Sequence, residues 1–324
     1  MILTAVVITL VSIFLAMNMG VSGFSVSFAP SYGSKVLTRS RAALLYGFCV
    51  LLGGVLVGPR VLETFVKKIS TQALSPASGL IIISSAAAAM FLSNLLKIPQ
   101  STSFVMVSAF LGAGLYRGNV NWGTIVKIVV VALVFSALSF TCTFLIKRKL
   151  YPPHQNNLKF YEQFFIHREK FKKFIIFHDM YSAFGVGTNN VANVVAPLVG
   201  AFAINPVLGL ALAAPLFALG AWLFGRKVIN TVSQDIIPIG DISATIVSFI
   251  TATFVIIASA MGLPTPYVQF TTFSIFAISC VKDGVQCTLD KSIFKKIIWV
   301  WLLVPVFTVF LSLGLHLAIL GVRR

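Results

Sequence analysis

The stretch that decides the fold is Gly187-Thr188-Asn189-Asn190-Val191-Ala192-Asn193, which lies between apolar flanks. It combines small residues with three amide side chains in a segment otherwise suited to hydrocarbon. Backbone that leaves a helix inside a membrane needs hydrogen bonds from protein or ligand. Small residues also let a ligand approach the main chain. We therefore expect an interrupted membrane helix at this stretch.

A degenerate copy of this stretch lies 167 residues earlier, since 187 − 20 = 167. The copy reads Asn18-Met19-Gly20-Val21-Ser22-Gly23-Phe24-Ser25, and its Ala29-Pro30 pair recurs as Ala196-Pro197. The same offset carries Gly53, Gly58 and Arg60 onto Gly220, Gly225 and Lys227. One register across separate motifs indicates an internal duplication. Duplicated membrane halves with matching interruptions are typical of transporters whose site lies between the halves.

The composition agrees with a membrane protein. Hydrophobic residues make up 58% of the 324 residues and charged residues 10%, against about 25% charged in a typical soluble domain. The mean hydropathy is +0.96. The sequence therefore predicts an all-α integral membrane protein of two inverted-topology repeats. We expect about 10–12 membrane segments, some of them broken or re-entrant, in a multi-pass protein of the cell membrane.

The positive charge is concentrated between the predicted halves. The chain has a formal net charge of +17, and eight cations lie in one hydrophilic segment. They are Lys147, Arg148, Lys149, Lys159, Arg168, Lys170, Lys172 and Lys173. Cations in short connections signal the cytoplasmic side, although a favourable field for anions is the alternative. We divide the chain into a first repeat (1–146), a basic cytoplasmic loop (147–173) and a second repeat (174–324).

A second pair of interruptions follows in each half. Pro99-Gln100-Ser101-Thr102-Ser103 and Leu263-Pro264-Thr265-Pro266-Tyr267 both precede apolar segments. Proline with serine or threonine is typical of a helix start. Such a start is either an ordinary helix end or a positive dipole end that faces an anion. Both interpretations stay open for 99–103, and the ordinary start is favoured for 264–272.

These motifs resemble those of the inorganic phosphate transporter (PiT) family. Residues 187–194 resemble the family's duplicated signature G-A-N-D-x-A-N-A, residues 20–27 resemble it more distantly, and residues 99–103 resemble its P-x-S-T-T/S element. The likeness spans both halves. It implies secondary transport of a tetrahedral oxyanion by inverted repeats, coupled to sodium or protons.

The chain departs from the family where the signatures have aspartate, because Gly23 and Asn190 stand at those positions. Phosphate near pH 7 carries a proton that a carboxylate can accept, whereas sulfate carries none and a carboxylate would repel it. A site of neutral donors therefore suits sulfate, and the pattern is similar to the family's bacterial sulfate-permease branch. We predict proton-coupled sulfate uptake; the alternative is a sodium- or proton-coupled phosphate transporter.

The predicted substrate-binding residues come from the two signatures and the first proline motif. They are Ser22, Gly23, Ser25, Ser101, Thr102, Ser103, Asn189, Asn190 and Asn193. The alternative for the signatures is close helix packing through small residues. Weaker candidates for the coupling ion are Asn18, His178 and Asp179, because ionisable groups in membrane segments are functional hypotheses. For the last two, a place at the membrane interface is the alternative.

Other functional classes fit the sequence less well. None of the eight acidic residues forms a paired-carboxylate motif in an apolar run, so we expect no enzyme. The four cysteines form no metal motif, and we expect no cofactor or metal and no nucleic-acid partner. The expected partners are the oxyanion, a coupling proton or sodium ion and the lipid bilayer, and the sequence is compatible with a homodimer. A passive channel would differ from a carrier by the absence of saturation and counterflow.

Overall fold

The computed structural model describes residues 2–33, 36–69, 73–95, 100–234 and 241–321. Within these ranges the chain is helical. The helices before the central connection are α1 (Ile2–Gly33), α2 (Arg39–Leu56), α3 (Gly58–Glu63), a π-helical segment (Thr64–Ile69), α4 (Pro76–Leu95), α5 (Thr102–Arg117) and α6 (Trp122–Leu150). Those that follow are α7 (Leu158–Ile166), α8 (Arg168–Phe202), α9 (Pro206–Gln234), α10 (Asp241–Ala260), α11 (Tyr267–Asp283), α12 (Val285–Asp290) and α13 (Ser292–Leu320).

Seven helices in the described part of the chain are long and apolar enough to cross a membrane: α1, α2, α4, α6, α9, α10 and α13. Helices α5 and α11 have 16 and 17 residues, short of the roughly 20 that a full span needs. Helix α8 has 35 residues, but it is not among the seven. Charged residues lie at its start, and the amide-rich stretch lies in its middle. The chain is a multi-pass α-helical membrane protein, and the ten long helices of its described part comprise these seven candidate spans and three others.

The first pair of predicted interruptions is not present. Helix α1 runs unbroken through the first signature and α8 through the second. The backbone hydrogen bonds of both helices continue through these stretches. The hydroxyl groups add further bonds to carbonyls of their own helix, as Ser22 does to Met19 and Thr188 to Gly185. The expectation of broken helices at these two stretches was therefore wrong.

The second pair of interruptions is present. Helix α10 ends at Ala260 and α11 begins at Tyr267, and between them lie Pro264 and Pro266, which cannot donate a backbone hydrogen bond. In the first half α4 ends at Leu95 and α5 begins at Thr102. Pro99 lies outside the described residues. Helix breaks therefore occur in both halves, after α4 and after α10 rather than within α1 and α8, which carry the signatures.

The two halves pack through reciprocal contacts. Helix α1 lies along α9, and α2 lies along α8. In these four helices, a Cβ atom would overlap backbone of the opposite half at four described glycines: Gly20 on Phe217, Gly187 on Val50, Gly53 on Phe184 and Gly220 on Met17. Shifting Gly20 by +167 and Phe217 by −167 (20 + 167 = 187; 217 − 167 = 50) gives the contact of Gly187 with Val50. The other two contacts are related in the same way.

Such exchange of partners is what a two-fold relation between the halves produces. Matching lengths agree with it, since α4 and α10 each have 20 residues and α6 and α13 each have 29. The inverted direction of the repeats stays a prediction that fits this arrangement.

The basic segment 147–173 is largely helical. It contains the end of α6, all of α7 and the start of α8. Lys147 is buried and donates to Ser243 on α10, with 2.9 Å between Nζ and Oγ. At least one of the eight cations therefore serves to tie two helices together.

Candidate functional site

A buried polar cluster joins α8 to the two true interruptions. The Nδ2 of Asn189 donates to the Oγ of Ser103 (2.9 Å) and to the carbonyl of Thr265 (2.8 Å). Its Oδ1 accepts from the N–H of Thr265 at 3.2 Å. The Nδ2 of Asn193 donates to the Oγ of Ser103 (3.0 Å) and the Oγ1 of Thr102 (3.3 Å). All five residues are buried, so one amide pair holds both interruptions together.

The spacing on α8 explains the cluster. Asn189 and Asn193 are four residues apart, so both project from one face of a continuous helix. Asn190 is also buried, and its Oδ1 accepts from the Nδ2 of Asn189 at 3.1 Å. The second signature thus brings its three amides together in the interior, on a helix that is unbroken.

Two helix starts meet at this cluster. Helix α5 begins at Thr102, and the Oγ of its cap Ser101 accepts from the N–H of Phe104. Helix α11 begins at Tyr267, two residues after Thr265. The first N–H groups of a helix have no partner within it and carry a partial positive charge. The cluster therefore combines neutral hydrogen-bond donors with two positive helix ends, which favours an anion.

The first signature is arranged differently. Ser22 and Ser25 donate to carbonyls within α1, at 3.0 and 2.8 Å. Gly23 packs against Tyr46 and Val186, where a Cβ would overlap both side chains. The described contacts of these three predicted residues therefore lie within α1 and against Tyr46 and Val186, and the structure does not bring them into the cluster of Asn189 and Asn193.

A small cavity lies beside the first signature. It measures about 100 Å³ and lies between α1 and α4. Its lining is Phe14, Leu15, Asn18, Met19, Ser22, Ala87, Met90 and Phe91. Asn18 is exposed and donates to the carbonyl of Phe14 at 3.1 Å. Asn18 and Ser22 thus share a cavity wall.

His178 and Asp179 face different surroundings. The Nδ1 of His178 lies 2.8 Å from the carbonyl of Phe174 in its own helix, and its ring packs against the rings of Phe174 and Phe249. Asp179 is fully buried, and its Oδ2 accepts from the N–H of Ser31 on α1 at 3.0 Å. Of these two residues, Asp179 is the one that points into the interface between the halves.

Asp179 lies near a buried hydroxyl network that leads toward the cluster. Asp179 and Ser182 are three residues apart on α8, so they lie on the same face of that helix. The Tyr267 hydroxyl lies 2.5 Å from the Oγ of Ser182, which donates to the Oγ of Ser27 at 3.2 Å. An acidic group is thereby linked to the same helix start that the cluster uses.

Arg60 lies at the second interruption. Its Nη1 donates to the carbonyl of Ala260, the last residue of α10, at 2.8 Å. This contact gives Arg60 a role in ending α10. The side chain of Lys227, its sequence counterpart, lies outside the described residues.

Sequence reasoning predicted no role in the site for Thr265, a member of the cluster, or for Tyr267, which lies two residues beyond it. Thr265 was assigned to an ordinary helix start, whereas its backbone is held by Asn189. Tyr267 was not singled out at all. The sequence feature that could have indicated Thr265 is the recurrence of proline followed by a polar residue, in Pro99-Gln100 and Pro264-Thr265. Among the described residues, no three His, Cys, Asp or Glu side chains lie together in a way that would hold a metal ion.

Comparison with known proteins identifies the family of this chain. The sequence model of the phosphate transporter family matches residues 19–312. The sulfate permease CysP of Bacillus subtilis is 32% identical over 94% of this chain and 84% of its own length. A putative phosphate permease of Helicobacter pylori is 22% identical over 84% of this chain and 68% of its length. The human sodium-dependent phosphate transporter 2 is 29% identical over 44% of this chain and 23% of its own.

A solved structure shares the fold. It is described as the sodium-dependent phosphate transporter, and it superposes with a TM-score of 0.80 over 99% of this chain and 100% of the other. The identity is 21%, so this likeness concerns the fold alone.

Proposed function

Because the chain belongs to the phosphate transporter family and is an inorganic anion transporter of the membrane, we propose that it takes up sulfate together with protons. The observation that carries this proposal is the neutral donor set of Asn189, Asn193 and Ser103 between two helix starts. Sulfate offers only acceptor oxygens, and such a set satisfies them without a carboxylate. Similarity to a sulfate permease over 94% of this chain and 84% of that protein supports the same substrate.

The proposed anion site comprises the predicted residues of α8 and of the α5 start: Ser101, Thr102, Ser103, Asn189, Asn190 and Asn193. The amides and hydroxyls now bonded to one another would turn to the anion when it enters. Ser22, Gly23 and Ser25 would serve the pathway toward the site, since Ser22 lines the cavity between α1 and α4.

Substrate choice is tested by uptake into proteoliposomes. We expect saturable uptake of labelled sulfate with counterflow and weak inhibition by phosphate at equal concentration. The alternative is a phosphate transporter, as the names of several relatives suggest. Uptake of phosphate in preference to sulfate would replace the first proposal with the second. Uptake that does not saturate and shows no counterflow would indicate a channel.

Coupling follows from charge. A dianion entering a negative interior works against about 2.3 kcal/mol per charge per 100 mV, or about 4.6 kcal/mol for sulfate. Co-transported cations offset this cost. We propose protons as those cations, with Asp179 as the acceptor, because it is buried between the halves and adjoins the Tyr267 network. His178 is a weaker candidate, since its ring nitrogen lies against a carbonyl of its own helix. Asn18 cannot carry a proton, so its amide oxygen is a candidate only for a coupling sodium ion.

The coupling ion is tested with an imposed pH gradient and with sodium replaced by choline. We expect initial sulfate uptake to rise with an inward proton gradient and to persist in choline. Uptake that ignores the pH gradient but collapses without sodium would contradict proton coupling. Sodium would then be held by neutral oxygens in place of the family's aspartates.

A further inference from the structure

Gln100 has an unusual environment for a buried amide. It lies just before α5, with 4% of its surface exposed. Among the described residues, neither its Nε2 nor its Oε1 has a hydrogen-bond partner. An amide removed from water without partners costs free energy, and native proteins rarely keep one without a reason. Gln100 also begins the short segment that carries Thr102 and Ser103 of the cluster.

Thr265 has the same property in the other half. Gln100 follows Pro99 in the sequence as Thr265 follows Pro264. Thr265 is fully buried, and both its backbone N–H and its carbonyl are bonded to Asn189. Its Oγ1 nevertheless has no partner. The backbone of Thr265 is therefore fixed while its hydroxyl is left for something else.

A third unpaired atom lies in the same cluster. Asn193 uses its Nδ2 for Thr102 and Ser103, but its buried Oδ1 has no partner. Unpaired buried polar atoms thus occur in all three segments that meet here: the start of α5, the start of α11 and the middle of α8. Each of these segments also contributes a hydrogen bond to the cluster.

We propose that Gln100 and Thr265 bind the transported oxyanion directly and set its selectivity, donating from Nε2 and Oγ1 to two of its oxygens. This inference rests on the proposed function and adds two ligands to its site. Donors left unpaired in the empty protein gain their full hydrogen bonds when the anion arrives. The amide oxygens of Gln100 and Asn193 are acceptors, which an unprotonated anion cannot use.

The selectivity follows from the same atoms. A hydrogen phosphate can donate its proton to an acceptor, and sulfate cannot. Replacing the Gln100 amide with a carboxylate, in Gln100→Glu, removes a donor and adds an acceptor without a change of length. It should therefore weaken sulfate binding and shift the preference toward phosphate.

The test is to measure binding and stability on the same purified full-length protein. The variants are Gln100→Leu and Thr265→Val, with Thr272→Val as the matched control, because the Thr272 hydroxyl is bonded to Val268 in its own helix. We expect the sulfate Kd by titration calorimetry to rise about tenfold to a hundredfold in each of the first two variants. The control should keep the Kd of the unmodified protein.

Thermal unfolding without ligand separates binding from structure. Removing an unpaired buried polar group relieves its desolvation cost, so the midpoint of Gln100→Leu should stay equal or rise while binding falls. An unchanged Kd in both variants would overturn the proposal, as would a fall in midpoint that accompanies the loss of binding. If the unmodified protein prefers phosphate, the sulfate assignment fails. A raised phosphate Kd in the same two variants would still support Gln100 and Thr265 as residues that bind the anion.

Discussion

Helices α1 and α8 occupy equivalent places in the two halves, and they share packing but not chemistry. Gly20 and Gly187 each contact the backbone of the opposite half in the same way. Ser22 and Asn189 are equivalent by position, since 189 − 22 = 167. Ser22 bonds to its own helix, whereas Asn189 bonds to Ser103 and Thr265 across 86 and 76 residues. The duplication has kept its close contacts and has specialised its polar side chains.

The physical reason lies in how much freedom each position has. A glycine in contact with backbone cannot accept even one carbon atom unless the helices move apart, and packed interiors resist such movement. A polar side chain on an inner face can be replaced by another polar side chain if the new one finds hydrogen-bond partners of its own. A serine does this within its own helix, so the first signature can carry serines where the second carries amides, without a cost to the fold.

The largest expected effect tests the shared packing. Gly20→Ala, Gly187→Ala, Gly53→Ala and Gly220→Ala each place a carbon on backbone of the opposite half. Overpacking of this kind costs about 3 kcal/mol or more when backbone cannot yield. Thermal unfolding in detergent should show four similar losses. The control is Gly314→Ala on α13, whose added carbon meets nothing within 4 Å.

Unequal losses would break the comparison. If Gly20→Ala is tolerated while Gly187→Ala is not, the two helices do not pack equivalently. A large loss in Gly314→Ala would mean that any added carbon destabilises the protein.

The next effect tests the different chemistry. Asn189→Ala and Asn193→Ala each remove donors from the cluster, and each hydrogen bond to a charged ligand contributes about 1.5–3 kcal/mol. Sulfate affinity should fall accordingly, by calorimetry or by half-saturation of uptake. The combined change Asn190→Ala with Asn193→Ala should lower affinity further. Unchanged affinity in that double variant would count decisively against the α8 site.

The sequence predicted part of this arrangement. The membrane class, the 167-residue duplication and the amides Asn189, Asn190 and Asn193 could be recognised because they depend on composition and spacing. The unbroken course of α1 and α8 could not, since glycine and serine suit either a break or a tight helix crossing. Thr265 was missed because its role depends on a contact with Asn189 that only the folded chain creates.

A third prediction compares Asp179 with Ser12, its equivalent in α1, since 179 − 12 = 167. Both side chains are buried, but only Asp179 can carry a proton. In Asp179→Asn, the acceleration of sulfate uptake by an inward pH gradient should disappear, while sulfate counterflow at equal pH persists. Ser12→Ala should keep the acceleration. An Asp179→Asn protein that still responds to the gradient would exclude Asp179 as the proton carrier.

The smallest expected effect concerns Ser22 itself. Its hydroxyl donates to the Met19 carbonyl at 3.0 Å, and its side chain lines the cavity of about 100 Å³ without joining the buried cluster. Because that hydrogen bond lies within one helix, Ser22→Ala should change the sulfate binding energy by no more than about 0.5 kcal/mol, about twofold in Kd. The same calorimetric titration that measures Asn189→Ala measures this variant, so the two equivalent positions are compared directly. If Ser22→Ala weakens sulfate binding as much as Asn189→Ala does, both signatures bind the anion and the halves have not diverged in function. If the twofold limit holds, α1 forms the wall of the pathway and α8 carries the site.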